Sequence, residues 1–270
     1  MRTLFKQVTL AAIGCTGAVA ATAGPVPSGL SISGQVSLDV ANSSGPTGGG
    51  TQSGFFKHVS GGAATTASFS GNPGTLSPST LGGALTQTGD GFGSRLVIGG
   101  STTTNASLTS GGLFVDYLLN LSNSSAFTYT VTFAGLWSNT VSATGATGLG
   151  AYAHADWVMQ DAAFNELMAT DHMVDTVNAG SNFSYDSIAH AFTVILAPGA
   201  SAAFHGLQRI IGGTDVIGGY SGDLDAFLQL SSITGGRTGG GNVPLPASVP
   251  LVLLGLALLR LTSPRAPRSR

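Results

Sequence analysis

The sequence predicts an all-β fold, an antiparallel β-sandwich of jelly-roll-like type. Glycine occupies 41 of 270 positions while charged residues make up only 8% of the chain, and that composition suits short strands joined by tight turns rather than a helical bundle. Apolar residues reach 42%, enough to build a core, which excludes a disordered chain. Several segments also alternate apolar and polar residues with a period of two, the pattern of half-buried strands. We expect an N-terminal signal helix and a C-terminal transmembrane helix to flank this body.

The strand pattern is clearest at residues 127–133, where large apolar side chains take the odd positions and threonines the even ones. Residues 117–121 alternate in the same way, and the polar run 122–125 between the two strands predicts a hairpin. Residues 192–196 predict a third strand. Residues 224–230 predict a last strand that buries its even positions.

Other segments have weaker patterns. Pro198-Gly199 after the third strand predicts a type II turn, because the third position of that turn requires a positive φ. Residues 42–111 contain few large apolar groups, so we predict long loops and edge strands there. Three apolar residues at helical spacing within 161–174 predict one short helix.

Residues 1–23 predict a secretory signal peptide: a basic start, an apolar stretch over 8–19, and small residues before a cleavage between Ala23 and Gly24. Cleavage after Ala20 also fits this pattern. The apolar stretch is shorter than the roughly 20 residues that a membrane span requires. Cys15, the only cysteine, offers lipidation as an alternative, because a small glycine precedes it. The domain that follows has no cysteine, which excludes disulfides and cysteine-ligated metals there.

The C-terminus has three successive parts. Residues 234–242 are a glycine-rich linker that separates the mature domain, residues 24–233, from a proline motif. An apolar segment follows and predicts a transmembrane helix over 249–261. Arginines without accompanying acids after this segment keep the C-terminus in the cytoplasm, so we expect the mature domain to lie outside. The motif consists of Val243, Pro244, Leu245, Pro246 and Ala247, and the arginines are Arg260, Arg265, Arg268 and Arg270.

This order of proline motif, apolar helix and arginines over residues 243–270 resembles the PEP-CTERM sorting signal in its VPLPA variant. The resemblance implies an exported protein of a Gram-negative bacterium that uses the secretion machinery and is held transiently in the inner membrane. It implies cutting by an exosortase, a membrane-embedded transpeptidase-like cysteine protease, and delivery to the cell envelope, cell surface or extracellular matrix. It also implies a link to exopolysaccharide and biofilm.

The chain between the two predicted signals, residues 24–242, is acidic. Four basic residues face eleven aspartates and one glutamate there, which gives a net charge of −8. A body with this charge repels phosphate backbones, which excludes nucleic acid as a partner. Polyhydroxylated polymers and divalent cations remain compatible with it. The four basic residues are Lys57, Arg95, Arg209 and Arg237.

Two groups of polar residues have the ligand types of metal sites. Asp223 and Asp225 project from the last predicted strand beside Asp215, and they leave calcium open as a cofactor, because calcium takes several oxygen ligands. The second group has the histidine and carboxylate ligands of zinc or iron sites but lacks a recognised spacing such as His-Glu-x-x-His. We interpret it as solvent-facing strand residues and predict no metal there. It comprises His154, Asp156, Asp171, His172 and Asp175.

The sequence contains no catalytic motif, since its serines lack the Gly-x-Ser-x-Gly elbow, and we predict that the protein is not an enzyme. Four large rings could form a sugar-stacking platform, although core packing is the commoner use of such rings. The sequence therefore predicts an exported structural or interaction protein of the cell surface or matrix. A carbohydrate-binding surface module is the alternative, and a metal-dependent hydrolase is the third interpretation. The four rings are Trp137, Trp157, Tyr152 and Tyr220.

Overall fold

The computed structural model describes residues 23–145, 150–178, 180 and 182–235. The predicted sorting signal with its helix 249–261 lies outside these residues, as do nearly all of the predicted signal peptide and linker. Within the described ranges, no helix has the length and apolar character needed to cross a membrane. The strands are β1 (Leu30–Leu38), β2 (Thr51–Ser60), β3 (Ala63–Ser70), β4 (Thr80–Ala84), β5 (Gly91–Thr102), β6 (Leu108–Asn123), β7 (Tyr129–Gly145), β8 (Ala151–Gln160), β9 (Glu166–Asp175), β10 (Phe183–Asp186), β11 (Ala191–Leu196), β12 (Ser201–Thr214) and β13 (Gly218–Gly235), with one 3-10 turn at Pro73–Thr75.

The strands form two antiparallel sheets, which confirms the all-β prediction. One sheet has seven strands in the order β10-β9-β8-β12-β6-β1-β4, and the other has six in the order β11-β7-β13-β5-β2-β3. Burial alternates along most strands, as in β8, where every second residue is buried. Each sheet therefore has an inner face in the core and an outer face towards solvent, which is the arrangement of a β-sandwich.

Large side chains from both inner faces fill the core. Trp157 and Tyr117 come from the seven-stranded sheet, and Phe92 and Phe133 come from the six-stranded one; all four are at most 1% exposed. The rings of Tyr117 and Trp157 meet edge to face at 6.1 Å between centroids, a favourable geometry for aromatic pairs. The predicted last strand is confirmed, since its even positions, from Leu224 to Leu230, are buried.

A polar network crosses this core and ties the sheets together. The Tyr117 hydroxyl donates to Gln208 Oε1 at 2.6 Å and lies 3.0 Å from the carbonyl of Ala226 in the opposite sheet. The amide of Gln208 donates to the carbonyl of Leu224 at 2.9 Å, and Ser94 bonds both partners. Burial raises the pKa of the Tyr117 hydroxyl, so it stays protonated and acts as a donor. A satisfied buried network of this kind fixes how the sheets are positioned against each other.

The predicted hairpin at 117–133 is wrong, although both of its strands exist. β6 belongs to the seven-stranded sheet and β7 to the six-stranded one, so the chain crosses between sheets at this turn. Asn123 holds the corner: its Nδ2 donates to the carbonyls of Phe127 and Leu196 at 2.6 and 3.0 Å, and its Oδ1 accepts from the Ser125 amide at 3.0 Å. Alternation within each strand says nothing about the sheet to which the strand belongs.

The predicted helix within 161–174 is also wrong, because a turn and then β9 occupy that segment. Asp161 Oδ1 accepts from the amides of Ala163 and Asn165 at 2.8 and 2.9 Å, a local bonding pattern that competes with helix formation. Phe164 has φ 63° and is 76% exposed, so it makes no apolar face with Met168, which is buried.

Residues 42–111 contain two interior strands rather than only loops and edges, since β5 and β2 lie between β13 and β3. Their core residues, Phe56, Phe92 and Leu96, are few but fully buried. The predicted type II turn at Pro198-Gly199 agrees with Gly199 φ 73° and a hydrogen bond from the Ala200 amide to the Ala197 carbonyl at 3.0 Å.

The start of β1 and the end of β13 lie at the same corner of the sandwich. The first residue of β1, Leu30, pairs with Asn123 at the end of β6. The last residue of β13, Gly235, pairs with Tyr129 at the start of β7. Since Asn123 and Tyr129 flank the same connection, the described chain enters and leaves the sandwich at the same end.

Candidate functional site

The outer face of the seven-stranded sheet brings together residues that are distant in sequence. β8 projects His154 and Asp156 outward, as their period-two spacing predicts. Asp156 pairs in register with Asp171 on β9 and with Arg209 on β12. We call these four residues the charged network.

The members of the charged network bond one another. Arg209 donates from Nε to Asp156 Oδ2 at 2.9 Å, and its Nη2 lies 2.8 Å from the same oxygen. His154 Nε2 lies 2.7 Å from Asp171 Oδ1, and its Nδ1 lies 3.4 Å from Arg209 Nη2. Burial raises the pKa of Asp156, and Arg209 partly offsets this effect. Because a guanidinium can only donate, His154 accepts at Nδ1 and carries its proton at Nε2, where it donates to Asp171.

The charged network fits an ion-pair role better than a metal site. His154, Asp156 and Asp171 are the one group of three histidine or carboxylate residues, among the residues described, whose ligand atoms lie within 4.8 Å of one another. Yet both ring nitrogens of His154 already have protein partners, and the Arg209 cation lies against Asp156. A divalent ion would have to displace these contacts and approach a positive charge.

The structure separates the other two predicted ligands from this group. Asp175 caps a turn, where its Oδ1 accepts from the Val177 amide at 2.8 Å. His172 bonds to β10 instead: its Nε2 lies 3.2 Å from Asp186 Oδ2 and 3.1 Å from Ser184 Oγ. A Ser–His–Asp relay uses the two ring nitrogens for the two partners. Here both partners contact the same nitrogen, so the arrangement does not activate Ser184.

Asp186 is held ionised by its neighbours. Its Oδ1 accepts from Trp137 Nε1 at 3.0 Å. Burial acts to raise the pKa of Asp186, but hydrogen bonds from Thr170, Trp137 and His172 outweigh it and lower that pKa. This carboxylate therefore anchors β10 to β7 as a structural acceptor.

The three aspartates proposed for calcium do not meet. Asp215 Oδ1 accepts from Ser107 Oγ at 3.0 Å beyond the end of β12. Asp223 is held by Arg95, which donates from Nε to its Oδ1 at 2.9 Å. Asp225 projects outward from β13, as predicted, whereas Asp215 lies in the connection between β12 and β13.

The four rings that could have formed a sugar-stacking platform lie largely in the core. Trp157 and Tyr220 are at most 4% exposed, which confirms core packing for them, and Trp137 is partly buried and stacks on His190 at 4.3 Å between centroids. Tyr152 lies on the outer face of β8.

A second candidate site, which the sequence analysis missed, is a groove on the outer face of the six-stranded sheet. It has a volume of about 400 Å³. Phe55, Lys57, Leu136, Asp225 and Phe227 provide its outward side chains, and we call it the sheet groove. Its lining residues come from four strands, β2, β5, β7 and β13, so only the sheet register could have identified it.

The predicted cleavage and sorting residues are described only at the N-terminal end. The Gly24 amide donates to Thr88 Oγ1 at 2.8 Å, and Ala23 is exposed. The sorting motif 243–247 and the four C-terminal arginines lie outside the described residues.

Comparison with known proteins shows no relationship that identifies the chain. No family model matches it, and no curated protein matches it. Among solved structures, it is similar to that of the infectious bursal disease virus Gx strain, with 10% identity over 88% of this chain and 74% of that one and a TM-score of 0.10. A VP2 subviral particle of the same virus has 10% identity over 86% and 73% and a TM-score of 0.12. These likenesses carry no argument about function.

Proposed function

We propose that the chain is an exported structural or interaction protein of the cell surface or extracellular matrix of a Gram-negative bacterium. The observation that carries the proposal is the order of features at the C-terminus: a glycine-rich linker, the motif Val243-Pro244-Leu245-Pro246-Ala247, an apolar segment, and four arginines with no acid among them. Arginines in this position do not cross the bilayer, so the body in front of them is translocated.

The ends of the chain would act in sequence. A signal helix over residues 1–23 engages the secretion machinery and is cut between Ala23 and Gly24. A transmembrane helix over 249–261 holds the chain transiently in the inner membrane, and an exosortase-type protease then cuts near the proline motif. The released body, a jelly-roll-like sandwich, joins the envelope, the surface or the matrix, with exopolysaccharide as its expected surrounding.

The polar clusters of the described body support a role without catalysis. The charged network is satisfied by its own members, and Ser184 lacks a relay geometry with His172. The domain after the signal has no cysteine and therefore no disulfide, so its core and backbone ladders hold it.

The test is the intact mass of the protein recovered from cells. The full chain is expressed in a Gram-negative host with and without a co-expressed exosortase, and envelope and medium are analysed by mass spectrometry. We expect an N-terminus at Gly24 and, with the exosortase, loss of the segment that contains Arg260 to Arg270. Pro244→Ala with Pro246→Ala should block the second cut, while Pro267→Ala, beyond the helix, should leave it unchanged.

Three results would contradict the proposal. An intact Arg270 in the presence of the exosortase would mean a permanent anchor. An N-terminus at a lipid-modified Cys15 would mean a lipoprotein. Recovery of the whole chain from the cytosol would exclude export.

A further inference from the structure

The sheet groove has a regular construction. Register places Lys57, Gly93, Phe227 and Leu136 in one row across four neighbouring strands. Gly93 has no side chain, so the row has a low floor between Lys57 and Phe227. In the next row Arg95 on β5 stands between Phe55 and Asp225, and its guanidinium bonds Asp223. Two aromatic side chains thus stand two strands apart, roughly 10 Å between backbones.

The groove is apolar on its sides. Leu136 lies on the outward side of β7 and is 52% exposed. Phe55 and Phe227 are half-buried on the outward side. A Cβ on Gly91 would lie 2.7 Å from the Phe227 ring, so this ring leans along the sheet and presents part of its face to solvent.

Two charged groups in the groove make few polar contacts. Asp225 has no hydrogen-bond donor among the described residues, since its neighbour Arg95 bonds Asp223 instead, although Arg95 and Lys57 both act on it electrostatically. Lys57 has no carboxylate within salt-bridge distance in the described part of the chain and lies over the Phe227 ring, 5.3 Å from its centroid. A carboxylate and an ammonium group without hydrogen-bonded protein partners therefore flank the two half-buried rings, the combination of apolar lining and a few placed polar groups that marks ligand sites.

We infer that the sheet groove binds a neutral polysaccharide. Pyranose rings have apolar C–H faces that stack on Phe55 and Phe227, and their hydroxyl groups donate to the Asp225 carboxylate. Binding turns the Lys57 ammonium from the Phe227 ring to a sugar hydroxyl group, which accepts from it. The span between the two aromatic residues suits consecutive sugar units of one chain.

Charge and geometry favour this ligand over other polymers. The described residues include twelve acidic side chains and only three basic ones, Lys57, Arg95 and Arg209, and Arg95 and Arg209 are already paired. That surface repels nucleic acids and strongly acidic glycans. An extended peptide would pair with a sheet edge, whereas this site lies on a sheet face, where backbone groups are already bonded.

The inference deepens the proposed surface function, because it names an extracellular glycan as the partner. It does not depend on the route of export: a purified chain either binds glycans or does not, whichever protease has processed it. A failure of glycan binding and a failure of sorting are therefore separate results.

The experiment combines an array of neutral glycans with gel electrophoresis of the full chain in gels that contain hydroxyethyl cellulose, dextran or galactomannan. We expect retarded migration in at least one neutral polymer. Phe227→Leu and Phe55→Leu keep the apolar volume but remove the aromatic face, and each should weaken binding about 5- to 10-fold. Asp225→Asn and Lys57→Ala should each weaken it a few-fold.

The matched control is Phe164→Ala, which removes an exposed ring far from the sheet groove in the turn before β9 and should leave migration unchanged. Circular dichroism and the thermal midpoint confirm that each variant is folded. The inference is overturned if no neutral glycan binds, if only acidic alginate binds, or if Phe227→Leu and Phe55→Leu bind as tightly as the Phe164 control.

Discussion

Acidic and basic residues stand on the outer faces of both sheets. They are hydrogen-bonded to one another in the charged network but not in the sheet groove. On the seven-stranded sheet, Asp156 and Arg209 bond each other and the charged network is closed. On the six-stranded sheet, Asp225 and Lys57 lie on β13 and β2, the strands on either side of β5, without a hydrogen bond between them and beside two half-buried rings. A pattern of outward charged residues is therefore no guide to binding. What separates a stabilising surface from a ligand surface is whether each polar group already has a partner.

The largest expected effect is a loss of stability when the charged network loses its cation, which a matched substitution in the sheet groove should not cause. Arg209→Met should lower the free energy of unfolding by about 2 kcal/mol, because the Asp156 carboxylate, with a side chain 17% exposed, loses its partner. Lys57→Met removes a cation that no carboxylate contacts, so we expect a change within about 0.5 kcal/mol. Urea unfolding of both variants at pH 7 provides the measurement.

A double variant tests the cause of that loss. The double variant Arg209→Met with Asp156→Leu also removes the carboxylate that Arg209→Met leaves without a partner. It should therefore recover most of the lost stability. Equal losses for Arg209→Met and Lys57→Met, or no recovery in the double variant, would mean that the contrast between the two faces is wrong.

A smaller effect concerns Asp225 and pH. Burial raises the pKa of Asp225, with a smaller opposing influence from Arg95. The folded state therefore disfavours the ionised form: this cost is absent below the unfolded pKa of about 3.9 and develops as pH rises through the folded pKa. Asp225→Asn should thus stabilise the fold at pH 7, and the gain should vanish below about pH 4. Unfolding curves at both pH values check this, and a loss of stability at pH 7 would show that Asp225 has a partner.

The last prediction is that an added metal ion has no effect on stability. Addition of Zn²⁺ to the full chain should leave the thermal midpoint unchanged, because Arg209 and the engaged nitrogens of His154 block the charged network as a metal site. The comparison variant is His154→Ala. A rise in the midpoint that this variant abolishes would establish a metal site and reopen the hydrolase interpretation.

The sequence predicted strands where large apolar residues alternate, and it failed where glycine takes an inward position. Gly34 faces the core, and a Cβ there would collide with the ring of Phe92 from the opposite sheet. Gly54 in β2 and Gly100 in β5 also take inward positions, where a Cβ would lie 2.7 Å from the Phe69 ring and 2.9 Å from the Tyr220 ring. Such glycines make room for neighbouring rings but carry no hydrophobic signal, which is why β2 and β5 looked like loops. The helix prediction failed for the converse reason: helical spacing in 161–174 was coincidental, since Phe164 points to solvent.

The candidate sites were predictable only within one strand. The shared face of His154 and Asp156 follows from their spacing, and so does the outward position of Asp225. Their partners do not: Arg209 lies more than fifty residues from Asp156, and Phe55 reaches the sheet groove through a strand pairing that the sequence does not reveal. The register between strands that are distant in sequence determines which of these residues form the charged network and which line the sheet groove.

If the proposed surface function holds, the corner at Asn123, where β1 begins and β13 ends, would set the orientation of the body on a cell. A chain tethered through its C-terminus would hold this corner towards the membrane and point the opposite tip of the sandwich away from it. That tip carries Ile217 and Val177, each more than half exposed, together with the uncharged loop between β5 and β6. Neighbouring cells or fibres would meet this tip first, whereas a glycan strand in the sheet groove would lie along the flank.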